Sequence, residues 1–213
     1  MGRSFARIAF TPLVKKQQAF HGSRLQYERV EQSSRVGDAF TEAEREFILS
    51  RDSFYMATVS ETGWPYIQHR GGEPGFLHVI DDRTIAFADY RGNKQYISIG
   101  NLEHDDRVAL FLMDYPTQSR LKILGHAEVR EGADAQQLIG ELSEPRVRAL
   151  VERALVIRIE AFDWNCQQYI TPRYTEEQVV KITAPIRQRL AQVEEENKRL
   201  RAELDQSFRN NTC

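Results

Sequence analysis

Two cysteines in 213 residues, Cys166 and Cys213, are too few for a framework of bridges. A reducing, cytoplasmic setting is therefore expected. The chain has no charge excess either: its net charge is −2, with 28% charged residues, and that balance lacks the basic footprint of a nucleic-acid partner. No apolar run approaches the ~20 residues that cross a bilayer. The residues around Arg3 and Arg7 lead into no uninterrupted apolar stretch, so neither a membrane nor a secretory role is expected. His21, His69, His78, His104 and His126 show no metal-ligand spacing with each other or with Cys166, and no metal is expected. No serine sits in a nucleophile elbow, and the Rossmann glycine fingerprint is missing. Cys166, beside Asn165, has no evident activating base and reads as a buried structural thiol.

What the chain does have is 41% hydrophobic residues, enough for one sizeable domain with appendages. Residues 1–38 read as an N-terminal arm lying on the domain or on a partner subunit. Within it, Phe10 to Val14 is expected to be extended and Gln17 to Glu31 a short helix with Phe20, Leu25, Tyr27 and Val30 as contacts. Thr41 with Glu44 three residues on is a capping box that starts a helix ending near Arg51. Short β-rich runs then follow, separated by turn residues: Phe54–Val59, Trp64–Arg70, Phe76–Ile80, Thr84–Ala88, Arg107–Met113, Arg120–Val129 and Ala154–Phe162. Such spacing predicts an antiparallel meander or barrel. In the sixth run Leu121, Ile123 and Gly125 face one way, and Lys122, Leu124 and His126 the other. Residues 134–153 read as a helical insert around Leu138, Ile139, Leu142, Val147 and Leu150.

Between the fourth and fifth runs stands Asp89-Tyr90-Arg91-Gly92, a tight turn after which Asn93 is expected to open a helix with Tyr96, Ile97, Ile99 and Leu102 on its apolar side. A helix start carries unpaired N–H groups and partial positive charge, and Arg91 and Lys94 add two full charges. Such a turn is either a phosphate cradle or an ordinary solvated bend.

The C-terminal segment, 175–213, starts with Thr175 as a cap and reads as one long helix. From Thr183 its heptad a and d positions fall on Thr183, Ile186, Leu190, Val193, Asn197, Leu200 and Leu204. Arg189 with Glu194, and Glu196 with Arg201, occupy successive g and e positions and are of opposite sign, as a parallel pair requires. Three heptads would assist a dimer rather than create one.

Phe54-Tyr55-Met56-Ala57-Thr58-Val59, Glu61-Thr62-Gly63-Trp64-Pro65-Tyr66-Ile67, Phe87-Ala88-Asp89-Tyr90-Arg91-Gly92-Asn93-Lys94 and Arg107-Val108-Ala109-Leu110-Phe111-Leu112 together resemble the pyridoxamine 5′-phosphate oxidase-like flavoproteins, over roughly residues 40 to 173. The resemblance implies an α+β fold, mainly β: a Greek-key split barrel over 39–174, assembled as a homodimer with FMN at the subunit interface. By that resemblance the phosphate meets Gln68, His69 and Arg70 on the second strand, and Asn93 and Lys94 in the basic turn, with Asp89 and Tyr90 leading into it. The family's strand arginine falls on Gln68 while this chain has Arg70 two residues on, on the same strand face; Arg91 would supply the charge that Asn93 lacks. Gly71 and Gly72 would approach the isoalloxazine edge, Trp164 would be the closing aromatic, and Arg173 the late arginine. His69 is the one candidate proton donor. The Arg-X-His that serves vitamin-processing members is absent from Pro172-Arg173-Tyr174-Thr175, so pyridoxine or pyridoxamine phosphate is not the expected substrate. The implied activity is an FMN-dependent oxidation or reduction of a small organic molecule. A non-catalytic flavin or haem module and a deazaflavin-dependent reductase remain as alternatives.

Overall fold

The computed structural model describes residues 3–33, 39–143, 150–164 and 168–210. Three short helices open the chain, α1 (Arg3–Ala9), α2 (Pro12–Phe20) and α3 (Arg24–Glu31), followed by α4 (Glu42–Leu49). The expected extended piece at Phe10–Val14 is instead a helix start. Pro12 sits in the first turn of α2, where its missing N–H costs nothing, and the Thr11 hydroxyl accepts from the Val14 N–H. The single helix expected over Gln17–Glu31 is broken at Gly22, which has φ 77°. Of its expected contacts, Phe20 and Leu25 are exposed, while Tyr27 meets the Phe10 ring edge-on at 5.2 Å. The arm docks on its own domain: Phe5 and Ala6 are buried, and the Lys122 ammonium lies 4.8 Å from the Phe5 ring.

The strands are β1 (Ser53–Val59), β2 (Pro65–Gly71), β3 (Leu77–Val79), β4 (Thr84–Tyr90), β5 (Arg107–Asp114), β6 (Ser119–Arg130) and β7 (Val151–Trp164). They form one antiparallel sheet in the order β2-β1-β5-β6-β7-β4-β3. Helix α5 (Ile97–His104) links β4 to β5, and α6 (Gln136–Leu142) links β6 to β7. The expected insert is therefore shorter than 134–153, because Val151 to Arg153 already belong to β7; Val147 lies outside the described residues, as do Asn165 and Cys166.

Alternation along the strands puts Phe54, Met56, Leu110, Leu112, Leu121 and Ile123 inside, all at most 2% exposed. The sheet curls strongly. Phe54 on β1 packs edge-on against Phe87 on β4 at 5.2 Å, although three strands stand between them in the order. One device of that curl is Gly125, where the β6–β7 register shifts; a Cβ there would stand 2.5 Å from the Arg158 carbonyl oxygen. The architecture is thus an α+β half-barrel.

The capping box is present as expected. The Thr41 N–H donates to the Glu44 carboxylate at 2.9 Å, and Glu44 is 5% exposed. The indole N–H of Trp164 donates to the same carboxylate at 2.7 Å. Burial pushes Glu44 up, but the donors from Thr41 and Trp164 outweigh it and hold the carboxyl below its usual value. A depressed carboxyl contributes stability above its unfolded pKa and loses it as pH falls through the folded one. Glu44→Gln should therefore cost about 1–2 kcal/mol at pH 7. The deficit should stay constant above about pH 5 and close on acidification below the unfolded value of ~4.3. Urea unfolding of both proteins across pH 3–7 checks this; a deficit that ignores pH would refute it.

The chain divides into two compact units, residues 1–170 and 171–213. The second holds α7 (Glu176–Asn210), whose start is capped reciprocally: the Gln178 N–H donates to the Thr175 hydroxyl at 3.2 Å, and the Thr175 N–H to the Gln178 side chain at 2.9 Å. No helix among the described residues is long and apolar enough to cross a membrane.

Candidate functional site

The curl brings β2, the edge strand, against β4. Period-2 alternation on β2 points Tyr66, Gln68 and Arg70 inward and leaves Ile67 and His69 on the outer face. Arg70 reaches across and donates from Nη1 to the Asp89 carboxylate. Asp89 stands in register with Arg153 on β7, and Arg153 Nη1 lies 3.5 Å from the other carboxylate oxygen. Arg153 also lies 2.6 Å from Glu131 and 3.3 Å from Glu152. A buried carboxylate is thus shared by two guanidinium groups that are themselves largely buried. Burial pushes the Asp89 carboxyl above its usual value, and Arg70 and Arg153 oppose that push.

Above this cluster runs the segment from Arg91 to Tyr96. It is a turn and not the helix start expected at Asn93. Lys94 and Tyr96 both have positive φ, 60° and 52°, which the right-handed helix does not allow, so α5 begins only at Ile97. The turn is tied to β7: Arg91 Nε lies 3.2 Å from Glu152, the Tyr96 hydroxyl donates to Glu152 at 3.4 Å, and the Arg153 guanidinium covers the Tyr96 ring at 5.1 Å. Asn93 accepts the Gln95 N–H at 3.2 Å, and Lys94 is exposed with no ion pair among the described residues. From α5 the buried Ser98 hydroxyl donates to Gln68 at 2.8 Å, and Asn101 donates to Thr58 at 2.9 Å, which fixes the helix against β1 and β2.

The result is a polar cleft of about 60 Å³ between Gln68, Arg70, Asp89, Lys94, Ser98 and Arg153. Arg70 keeps its Nε–H buried there without an acceptor. The lining carries three cations, Arg70, Lys94 and Arg153, against two carboxylates, Asp89 and Glu152, and the net positive charge suits an oxyanion.

Of the residues singled out in the sequence, Gln68, Arg70, Asp89, Tyr90, Asn93 and Lys94 line this cleft. The others do not. Arg91 is outside the lining but pairs with Glu152, which belongs to it. His69 is exposed on the opposite face, edge-on to Tyr55 at 5.5 Å. Gly71 ends β2, and Gly72 is pinned by its N–H to the Asp52 carbonyl at 2.9 Å and by Phe76, which a Cβ would meet at 2.7 Å. Trp164 stands eleven residues from Arg153 along β7, some ~35 Å of strand, holding Glu44 and meeting Phe47 edge-on at 4.7 Å. Arg173 belongs to the second unit. The sequence reading missed Ser98, Glu152 and Arg153. No group of three or more His, Cys, Asp or Glu residues among the described residues could hold a metal.

A curled antiparallel sheet, closed on one side by paired arginines and carboxylates and flanked by helices, defines the class as an α+β half-barrel. The chain belongs to the pyridoxamine 5′-phosphate oxidase family, whose model matches residues 40–165. No curated protein matches it. Among solved structures it is similar to HupZ of Group A Streptococcus, at 19% identity with a TM-score of 0.45 over 63% of this chain and 99% of that one. It is also similar to a pyridoxamine 5′-phosphate oxidase candidate from Lactobacillus delbrueckii, at 22% identity and TM-score 0.46 over 59% and 94%. A third is an FMN-binding protein from Syntrophomonas wolfei, at 15% identity and TM-score 0.41 over 70% and 97%.

Proposed function

We propose that this protein binds FMN as a homodimer and uses it to oxidise or reduce a small organic molecule. The observation that carries the reading is the cleft, where the Arg70 guanidinium and the exposed Lys94 ammonium line one small polar space. Its volume of about 60 Å³ suits a phosphoryl group and not a three-ring isoalloxazine, so the cleft is assigned the phosphate end alone. Arg70 and Lys94 hold the anion, Asp89 fixes the Arg70 guanidinium, and Gln68 holds the Ser98 hydroxyl in place. When bound, the flavin supplies hydride and electron transfer; the chain supplies position and charge.

The dimer reading draws on the outer sheet face. Tyr55, Ile67, Phe111, Met113 and Leu124 form an apolar surface there, with Ile67 63% exposed. A face of that kind calls for a cover, and the proposed cover is a second copy of the chain. Ile67→Asp should convert the dimer to monomer in sedimentation velocity at micromolar concentration; an unchanged dimer would place the interface elsewhere.

The direct test is FMN titration into stripped protein, with FAD and a deazaflavin as competitors, followed by reduction with NADH or NADPH. Saturable binding of FMN with bleaching and reoxidation in air is expected. Absence of saturable flavin binding would overturn the reading, and binding without turnover would leave a non-catalytic flavin module in its place.

A further inference from the structure

Helix α7 is 35 residues long, roughly 50 Å at 1.5 Å per residue. Ile186, Leu190, Val193, Leu200 and Leu204 lie between 38% and 68% exposed along one seam, and Asn197 interrupts it. Five large apolar side chains in water on a helix of this length call for a partner. We infer that α7 pairs with α7 of a second copy of this chain as a parallel, in-register, two-stranded coiled coil.

Two independent features select that occupant and that geometry. Asn197 sits at an a position. In a parallel, in-register pair a meets a′, so the two Asn197 side chains face and hydrogen-bond each other. In an antiparallel pair a meets d′, and Asn197 would be buried against Ile186, Val193 or Leu200 of the partner helix with its amide unsatisfied. A one-heptad slip would set it against Leu190 or Leu204 at the same cost. The charges agree. In the parallel register Arg189 faces Glu194′ and Glu196 faces Arg201′, so each contact is made twice and all four are attractive. A foreign apolar helix would satisfy the seam but neither the asparagine nor the charge order. The symmetry is that of an isologous two-fold dimer.

The test is site-directed cross-linking of the full-length chain, with Cys166 and Cys213 changed to serine. Leu190→Cys in this background should form an interchain disulfide in most of the protein under mild oxidation, whereas Gln188→Cys, on the outer side of the helix, should not. Mixing Ile186→Cys chains with Leu204→Cys chains reports the antiparallel arrangement and should give no mixed dimer. Arg189→Glu should slow the Leu190→Cys link at least several-fold, and adding Glu194→Arg should restore it. Failure of Leu190→Cys to link, or a mixed 186–204 link, overturns the inference. None of these readouts requires flavin.

Discussion

Lys94→Asn combined with Arg70→Ala should weaken FMN binding at least a hundredfold. Each removed group is a charge-assisted donor, worth about 1.5–3 kcal/mol when its partner is desolvated, and every ~1.4 kcal/mol is tenfold in affinity. Lys94 is the cleaner of the two sites. It is exposed, makes no ion pair among the described residues, and has φ 60°, a conformation asparagine tolerates, so Lys94→Asn removes charge without disturbing the turn. Alone it should cost about tenfold, by the same arithmetic. Arg70 is different, because it also neutralises Asp89; its loss should weaken both binding and folding. Fluorescence titration of FMN, paired with a thermal melt of each apoprotein, separates the two. Unchanged FMN affinity in a folded double variant would remove Arg70 and Lys94 from the binding site.

The strands were legible because their alternation survives on short runs: Phe54, Met56 and Thr58 point inward on β1, and Leu121, Ile123 and Gly125 on β6. The same periodicity placed Gln68 and Arg70 on one face, and put His69 on the other, which was the reason available in the sequence for setting His69 aside. Other features depended on partners far along the chain. Arg153 lies opposite Asp89 across a strand pair 64 residues apart, and no local pattern announces that register. Once 134–153 was read as an insert, the strand start at Val151 was hidden. The late start of α5 was lost for a different reason. Asn93 is a good cap residue, and only the left-handed conformations of Lys94 and Tyr96 move the cap three residues on, to Tyr96. At α2 the signal was present and went unread: Thr11-Pro12 is a cap followed by a first-turn proline.

Asp89→Ala should destabilise the first unit by about 3–5 kcal/mol, the usual consequence of removing one partner from a buried ion cluster. For a unit of this size that is a fall of roughly 10 °C or more in melting temperature. The cost comes from what is left behind, since Arg70 and Arg153 would remain largely buried with their shared anion gone. Asp89 itself gains little from its site, because burial holds its carboxyl above the usual value. A raised carboxyl contributes most below its unfolded pKa and loses that contribution as pH rises through the folded one. The wild type should therefore gain from this group on mild acidification, opposite in sign to the Glu44 effect. The variant also tests the cleft as an anion site. With the internal carboxylate removed, inorganic phosphate becomes the natural occupant between the two guanidiniums. Millimolar phosphate should raise the melting temperature of Asp89→Ala by several degrees more than that of the wild type, through preferential binding to the folded state. No phosphate response in either protein would mean that the arginines do not form an anion site, and a melting temperature that Asp89→Ala leaves unshifted in the absence of phosphate would mean that they reach water when Asp89 is gone.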